Sequence, residues 1–250
     1  MAVAFRRLST AVVCLAAPPI LKPWLLRCLG HPISSGARIG VSLVLADRLA
    51  MAKGASIGHL NLIFARRIAL REDAYIRSLN IIRRGMSLRF ARMAAIGNRN
   101  IVVRGWTPQS VRPAMLTLGE LSKLTSEHYI EMCESIRIGN FTTLAGVRSQ
   151  IWTHGYIHDE TGPGRSLITG PVIIGDNVFI GSGCILNCGI RIASAVSIGS
   201  GSSVAKSLDK PGAYVSQPLR YVDRRAEERL AGLQRLEKAS AEDLHYRRLP

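Results

Sequence analysis

From Ile174 onward the sequence beats in sixes. It divides into IGDNVF, IGSGCI, LNCGIR, IASAVS, IGSGSS and VAKSLD, so Ile174, Ile180, Leu186, Ile192, Ile198 and Val204 recur without slippage. The fifth position of each unit, Val178, Cys184, Ile190, Val196, Ser202 and Leu208, is small or aliphatic and makes a second inward row. Gly or Ala follows the large aliphatic residue in five of the six units. Asn177, Gly183, Gly189 and Gly201 stand where a sharp corner requires positive φ or close backbone approach. A helix repeats its buried face every 3.6 residues and a half-buried strand every two, so a period of six describes one short strand plus one corner. Each coil of such units leaves an apolar interior that only neighbouring coils cover, and the chain is therefore predicted to be an all-β solenoid.

The same beat runs more faintly upstream. Ile39, Leu45, Met51, Ile57 and Ile63 keep step, Leu70, Ile76, Ile82 and Leu88 continue after a one-residue slip, and Ile138 and Leu144 resume it later. Residues 31–209 are accordingly one solenoid domain with two excursion loops, 105–135 and 155–170. The first contains two prolines and then reads as a short helix; the second holds Gly-Pro-Gly. Long loops on a rigid solenoid are where function tends to sit. Past Lys210-Pro211-Gly212 the period ends, and residues 210–250 read as a tail with a helix that starts at an Asp223 N-cap and carries Ala226, Leu230, Leu233 and Leu236 on one face. Residues 1–30 form an N-terminal segment expected to cover the opposite end.

These hexapeptides resemble those of the hexapeptide-repeat acyltransferases, in particular the polysaccharide, maltose and galactoside O-acetyltransferases. The resemblance is strongest over 151–206, where Ile151-Trp152-Thr153-His154-Gly155, PVIIGDNVFIGSGCILNCGI and SIGSGSSVAK occur in the family's order. It implies a left-handed parallel β-helix, acetyl-CoA as co-substrate, a homotrimer with active sites between protomers, and His154 as the catalytic base. An imidazole with an unperturbed pKa near 6.5 suits proton removal from an attacking hydroxyl at neutral pH, and no acyl-enzyme is required. His158, followed by Asp159 and Glu160, is the rival base. Likeness position by position places Phe179, Ser182, Ser200, Gly201, Lys206 and Arg220 along the coenzyme A groove. The sequence departs from the family at Ala205, at Cys188 and at Ser216-Gln217-Pro218-Leu219-Arg220, which weakens the individual cofactor contacts but not the fold.

Charge adds a question about partners. Residues 1–110 hold 17 Lys and Arg against three acidic residues, a balance of +14, whereas the other 140 hold 16 against 14, only +2. That field suits an anionic membrane surface or an acidic ligand, and no nucleic acid is expected. Five cysteines without CxxC spacing indicate neither disulfides nor a zinc site, and a reducing cytoplasmic setting fits, with peripheral association at the inner membrane face. The leading function is acetyl transfer to a sugar hydroxyl of a cell-surface glycan or its precursor. The alternatives are acyl transfer to a small amine or antibiotic, a non-catalytic binding scaffold, and a γ-carbonic-anhydrase-like enzyme whose zinc would draw on His154, His158 and either His59 or His128. No metal is expected under the leading reading.

Overall fold

The computed structural model describes residues 2–105, 114–216, 220–222, 234–235 and 246–247. They build a parallel β-solenoid of about eight coils with two short helices at its amino-terminal end. Three walls rise along the axis, each a stack of short parallel strands. The first stacks Ile39, Ile57, Ile76, Ile96, Leu124, Leu144, Ile180, Ile198 and Tyr214. The second stacks Val44, Ile63, Ile82, Val102, Ile130, Ile151, Leu186 and Val204. The third stacks Met51, Leu70, Phe90, Leu118, Ile138, Ile174, Ile192 and, through an isolated bridge, Leu208. All of these residues are buried, so the core is one continuous column of aliphatic ladders.

The six-residue register from Ile174 to Val204 holds throughout, and so does the second inward row from Val178 to Leu208. Asn177, Gly183, Gly189 and Gly201 all carry positive φ, between 55° and 74°. Gly181 is required for a different reason, since a Cβ there would stand 2.6 Å from the backbone nitrogen of Ser200 in the next coil. Upstream, the beat needs one adjustment. Val44 and not Leu45 points inward, because the strand Leu43–Met51 wraps a corner between two walls.

The expected excursion over 105–135 is largely wrong. Met115–Leu118, Lys123–Leu124 and Tyr129–Glu131 are strands of the three walls, and no helix occurs among the described residues there. Leu118, Leu124, Ile130 and Ile136 keep the interval of six and are buried, but the helix-forming polar residues between them hide the beat. Residues 106–113 lie outside the described residues, as does most of the C-terminal helix expected from Asp223; within its span Gln234–Arg235 is not helical but a strand paired antiparallel with Tyr246–Arg247. The second excursion is an antiparallel hairpin, His154–His158 against Arg165–Thr169.

Inside one corner runs a polar ladder. Asn61, Asn80 and Asn100 each accept through Oδ1 from the backbone N–H of the next member, the last from His128 at 2.9 Å. His128 Nδ1 accepts from the Ser149 N–H at 3.2 Å, and its Nε2 sits 2.9 Å from Thr125 Oγ1. Burial pushes the His128 pKa down to about 4, against smaller upward pulls from Leu144 and Glu127. The folded state therefore favours neutral imidazole. The stabilisation is complete above the ordinary pKa of about 6.5 and is lost as pH falls toward 4, by up to about 3 kcal/mol. Urea denaturation at pH 7 and pH 4.5 should show this loss in the native protein. His128→Asn, which extends the ladder with the residue used in the preceding coils, should reduce it.

At the amino-terminal end, helix α1 (Ala2–Ala16) packs on the strand Leu43–Met51 and helix α2 (Lys22–Cys28) follows after a turn. Lys22 is fully buried and ties the two parts together, donating to the Cys14 carbonyl at 2.6 Å and the Gly40 carbonyl at 2.7 Å.

Candidate active site

The second wall carries the site. Strand Gln150–Ile151 lies directly on Tyr129–Glu131 of the preceding coil, with Tyr129 facing Gln150 and Ile130 facing Ile151. Glu131 therefore ends its strand beneath the point where the chain leaves the wall through Trp152, Thr153 and His154. Its side chain is only 3% exposed. Oε1 accepts from the Gly105 N–H at 2.8 Å, and Oε2 accepts from Thr153 Oγ1 at 3.0 Å and the Thr153 N–H at 3.2 Å. His154 Nδ1 stands 2.8 Å from the same Oε2, within ion-pair range although off the line of a good hydrogen bond. Cys133 also bonds to the carboxylate. A side chain at Gly105 would collide with Glu131 Oε1 and Cys133 Sγ, so that position must stay bare.

Burial drives the Glu131 carboxyl upward, but the contacts from His154, Cys133 and Thr153 outweigh it and hold the group below its ordinary value. It is ionised at neutral pH. A carboxylate at Nδ1 favours the tautomer with its proton there, leaving the Nε2 lone pair for a substrate proton. Aromatic rings fix the imidazole from the sides. Trp152 packs on Tyr129 at 5.3 Å between centroids, His154 meets Trp152 edge-on at 6.1 Å, and Tyr156 meets His154 edge-on at 5.9 Å. Arg165 of the facing hairpin strand covers Tyr156 at 4.8 Å. The arrangement is a half-buried base with a buried carboxylate behind it. It is suited to general-base chemistry on a group approaching from outside the wall.

His158 is four residues further along the hairpin, exposed and opposite Arg165, with no ion pair among the described residues. Neither Asp159 nor Glu160 pairs with it there, so His154 and not His158 has the orienting acid. His59 is exposed four coils away, where its Nδ1 accepts from Val41 N–H, and both nitrogens of His128 are engaged inside the solenoid. A three-histidine set is thus not assembled within the described residues of one chain. The donor set that is assembled is Glu131, Cys133 and His154, whose ligand atoms lie within 4.8 Å of one another.

The candidate cofactor residues fall on two corners. Ser182, Ser200 and Gly201 stack in successive coils where the first wall meets the second, with the Gly201 N–H donating to the Ser182 carbonyl at 2.8 Å. Ser182 Oγ is occupied, accepting from the Val147 N–H at 3.1 Å. Phe179 precedes this corner on the first wall and is 50% exposed. Lys206 is exposed at the far end of the second wall, in the corner column that also carries Thr153 and His154. Arg220 belongs to a strand that pairs antiparallel with Gly212–Val215. One chain thus brings His154 and Lys206 to one edge and the serines to another. Glu131 was not among the sequence candidates, and its signal was an acidic residue directly following Ile130 at an inward beat.

No protein-family model matches the chain, and no curated protein matches it. Among solved structures, the polySia-specific acetyltransferase NeuO matches with a TM-score of 0.52, covering 76% of this chain and 76% of its own at 18% identity. This chain has the left-handed parallel β-helix fold of the hexapeptide-repeat acetyltransferases. The polysialic acid O-acetyltransferase OatWY matches 78% of the chain and 84% of its own at 18% identity, with a TM-score of 0.49. A maltose O-acetyltransferase from Clostridium difficile 630 is 32% identical over 44% of this chain and 58% of its own, with a TM-score of 0.38. Within the hexapeptide-repeat fold the hairpin His154–His158 and Arg165–Thr169 is the one described insertion that leaves the walls, and it begins at the candidate base.

Proposed function

We propose that the protein is an acetyl-CoA-dependent O-acetyltransferase acting on a sugar hydroxyl of a cell-surface glycan or its precursor, with His154 as general base. The observation that carries this reading is the His154 imidazole set 2.8 Å from the buried, ionised Glu131 on a solenoid wall. His154 Nε2 accepts the proton of the acceptor hydroxyl as its oxygen attacks the thioester carbonyl. The C–S bond then breaks, and the protonated imidazole returns the proton to the departing thiolate. Glu131 is a positioning residue that stabilises the imidazolium between these steps. Lys206 supplies a cation to the coenzyme's phosphates, with Phe179, Ser182, Ser200, Gly201 and Arg220 along its path. NeuO is polySia-specific, and the +14 balance of residues 1–110 suits an acidic acceptor in the same way. The protein is a homotrimer in this proposal, so that the two corners meet across protomers. Light scattering at micromolar concentration should give three times the monomer mass.

The test is thiol release from acetyl-CoA against a panel of neutral and acidic sugars, run beside small amines. Acetylation of amines in preference to every sugar would move the assignment to an N-acyltransferase. Glu131→Gln should lower turnover by at least ~10-fold, toward the ~10⁴-fold seen when the acid behind a catalytic histidine loses its charge. Unchanged turnover in a folded Glu131→Gln variant would make Glu131 merely structural.

A further inference from the structure

Helix α1 is apolar on the face it turns away from the solenoid. Ala11 and Cys14 point inward and are buried, whereas Phe5, Leu8, Val12 and Leu15 point outward and are 70%, 63%, 56% and 49% exposed. At 100° per residue these four span about 80° of the helix circumference, so they form one stripe. The chain continues in the same character: Ile20, Leu21 and Trp24 in the turn and α2 are 87%, 46% and 56% exposed. A core face explains Ala11 and Cys14 but nothing in the fold explains this second face.

Charge identifies what covers it. The first 46 residues contain no Asp or Glu at all; of the basic residues among them, Lys22 is buried on backbone carbonyls and Arg7 is paired with Asp47. Arg27 and Arg38 are exposed. Beyond them residues 39–110 complete the +14 balance. A second copy of this end would bring like charge against like charge, which opposes association. An anionic lipid surface supplies both an apolar layer for the stripe and negative headgroups for the arginines. At 15 residues α1 is shorter than the ~20 needed to span a bilayer, and no described helix is long and apolar enough to cross one. Such a helix lies in the plane of the interface. Trp24 is exposed on the following helix, and tryptophan is enriched at headgroup depth.

We infer that α1 and the start of α2 form an interfacial membrane anchor, seating the amino-terminal end of the solenoid on a bilayer containing anionic lipid. This does not depend on the proposed acetyl transfer. The experiment is flotation of the full-length protein with large unilamellar vesicles of pure phosphatidylcholine or of phosphatidylcholine with 30% phosphatidylglycerol. The wild type should float with the anionic vesicles at least ~10-fold better than with the neutral ones, and rising salt should release it. Phe5→Ser/Leu8→Ser/Val12→Ser changes only exposed side chains. It should keep the wild-type circular dichroism and oligomeric mass while losing flotation by ~10-fold or more. Brominated lipid should quench the wild type more than Trp24→Phe, which separates Trp24 from the other two tryptophans. No flotation at low ionic strength, equal flotation of wild type and the triple variant, or equal binding to neutral vesicles would overturn the anchor. A folded triple variant that falls to a smaller oligomer would overturn it too, because the stripe would then be a subunit interface.

Discussion

His154→Ala is expected to lower the turnover of acetyl-CoA thiol release by ~10² to 10⁴-fold while leaving acetyl-CoA affinity nearly unchanged. The asymmetry follows from where the imidazole acts. It meets the acceptor proton in the transition state, and the proposed coenzyme contacts are made by other side chains, Lys206 further along the same column and the separate corner of Ser182, Ser200 and Gly201. His158→Ala should change turnover little, because His158 is exposed and has no ion pair among the described residues, whereas His154 sits 2.8 Å from Glu131. Equal and complete inactivation by both substitutions, with stoichiometric zinc in the wild-type protein, would replace the acetyltransferase reading by a metalloenzyme. Cys133→Ser then gives a further distinction. Loss of bound metal with Cys133 would point to the Glu131, Cys133 and His154 donor set, whereas retention would point to histidines shared between protomers.

How much of this could be read in the chain depended on how directly packing writes itself into residue type. The carboxy-terminal coils were legible because each inward place is aliphatic and each tight corner takes Gly or Asn, so Ile174 to Val204 could be registered residue by residue. The coils at 114–135 were not. Their inward residues Leu118, Leu124 and Ile130 keep the interval of six, but the outward places are filled by Glu, Ser, Lys and Thr, whose helical appearance competes with the beat. The site divides in the same way. His154 stood out through its resemblance to a family motif. Glu131 did not, because its partner lies one coil further on, and coil-to-coil register is a tertiary fact that local periodicity cannot supply. Its only sequence trace is a carboxylate next to an inward isoleucine, where burial demands a partner. The outward stripe of α1 was obscured for a related reason: outside Arg6, Arg7, Ser9 and Thr10 the helix is apolar around its circumference, which gives little sign of which face the solenoid will take.

The register itself predicts the largest effect on stability, and two adjacent residues test it. Leu186 is fully buried, stacked between Ile151 below and Val204 above, whereas its neighbour Ile185 points out and is 37% exposed. Leu186→Asp removes the aliphatic contacts, which alone are worth ~2 to 5 kcal/mol. It also places a carboxyl among ladders that offer no cation or donor, at a further cost of several kcal/mol. The sum is comparable with the ~5 to 15 kcal/mol that holds a whole domain together. A solenoid transmits such damage through its stack, because each coil covers the next and the exposed ends cannot stand alone. The variant should therefore lose β circular dichroism or melt far below the wild type. Ile185→Asp leaves its charge in water and should cost only about 1 kcal/mol. Strand geometry makes the contrast sharp, since moving the register by one residue exchanges every inward side chain for an outward one. Folded Leu186→Asp together with unfolded Ile185→Asp would shift all three walls by a residue and carry the second-wall placement of Glu131 and His154 away with them.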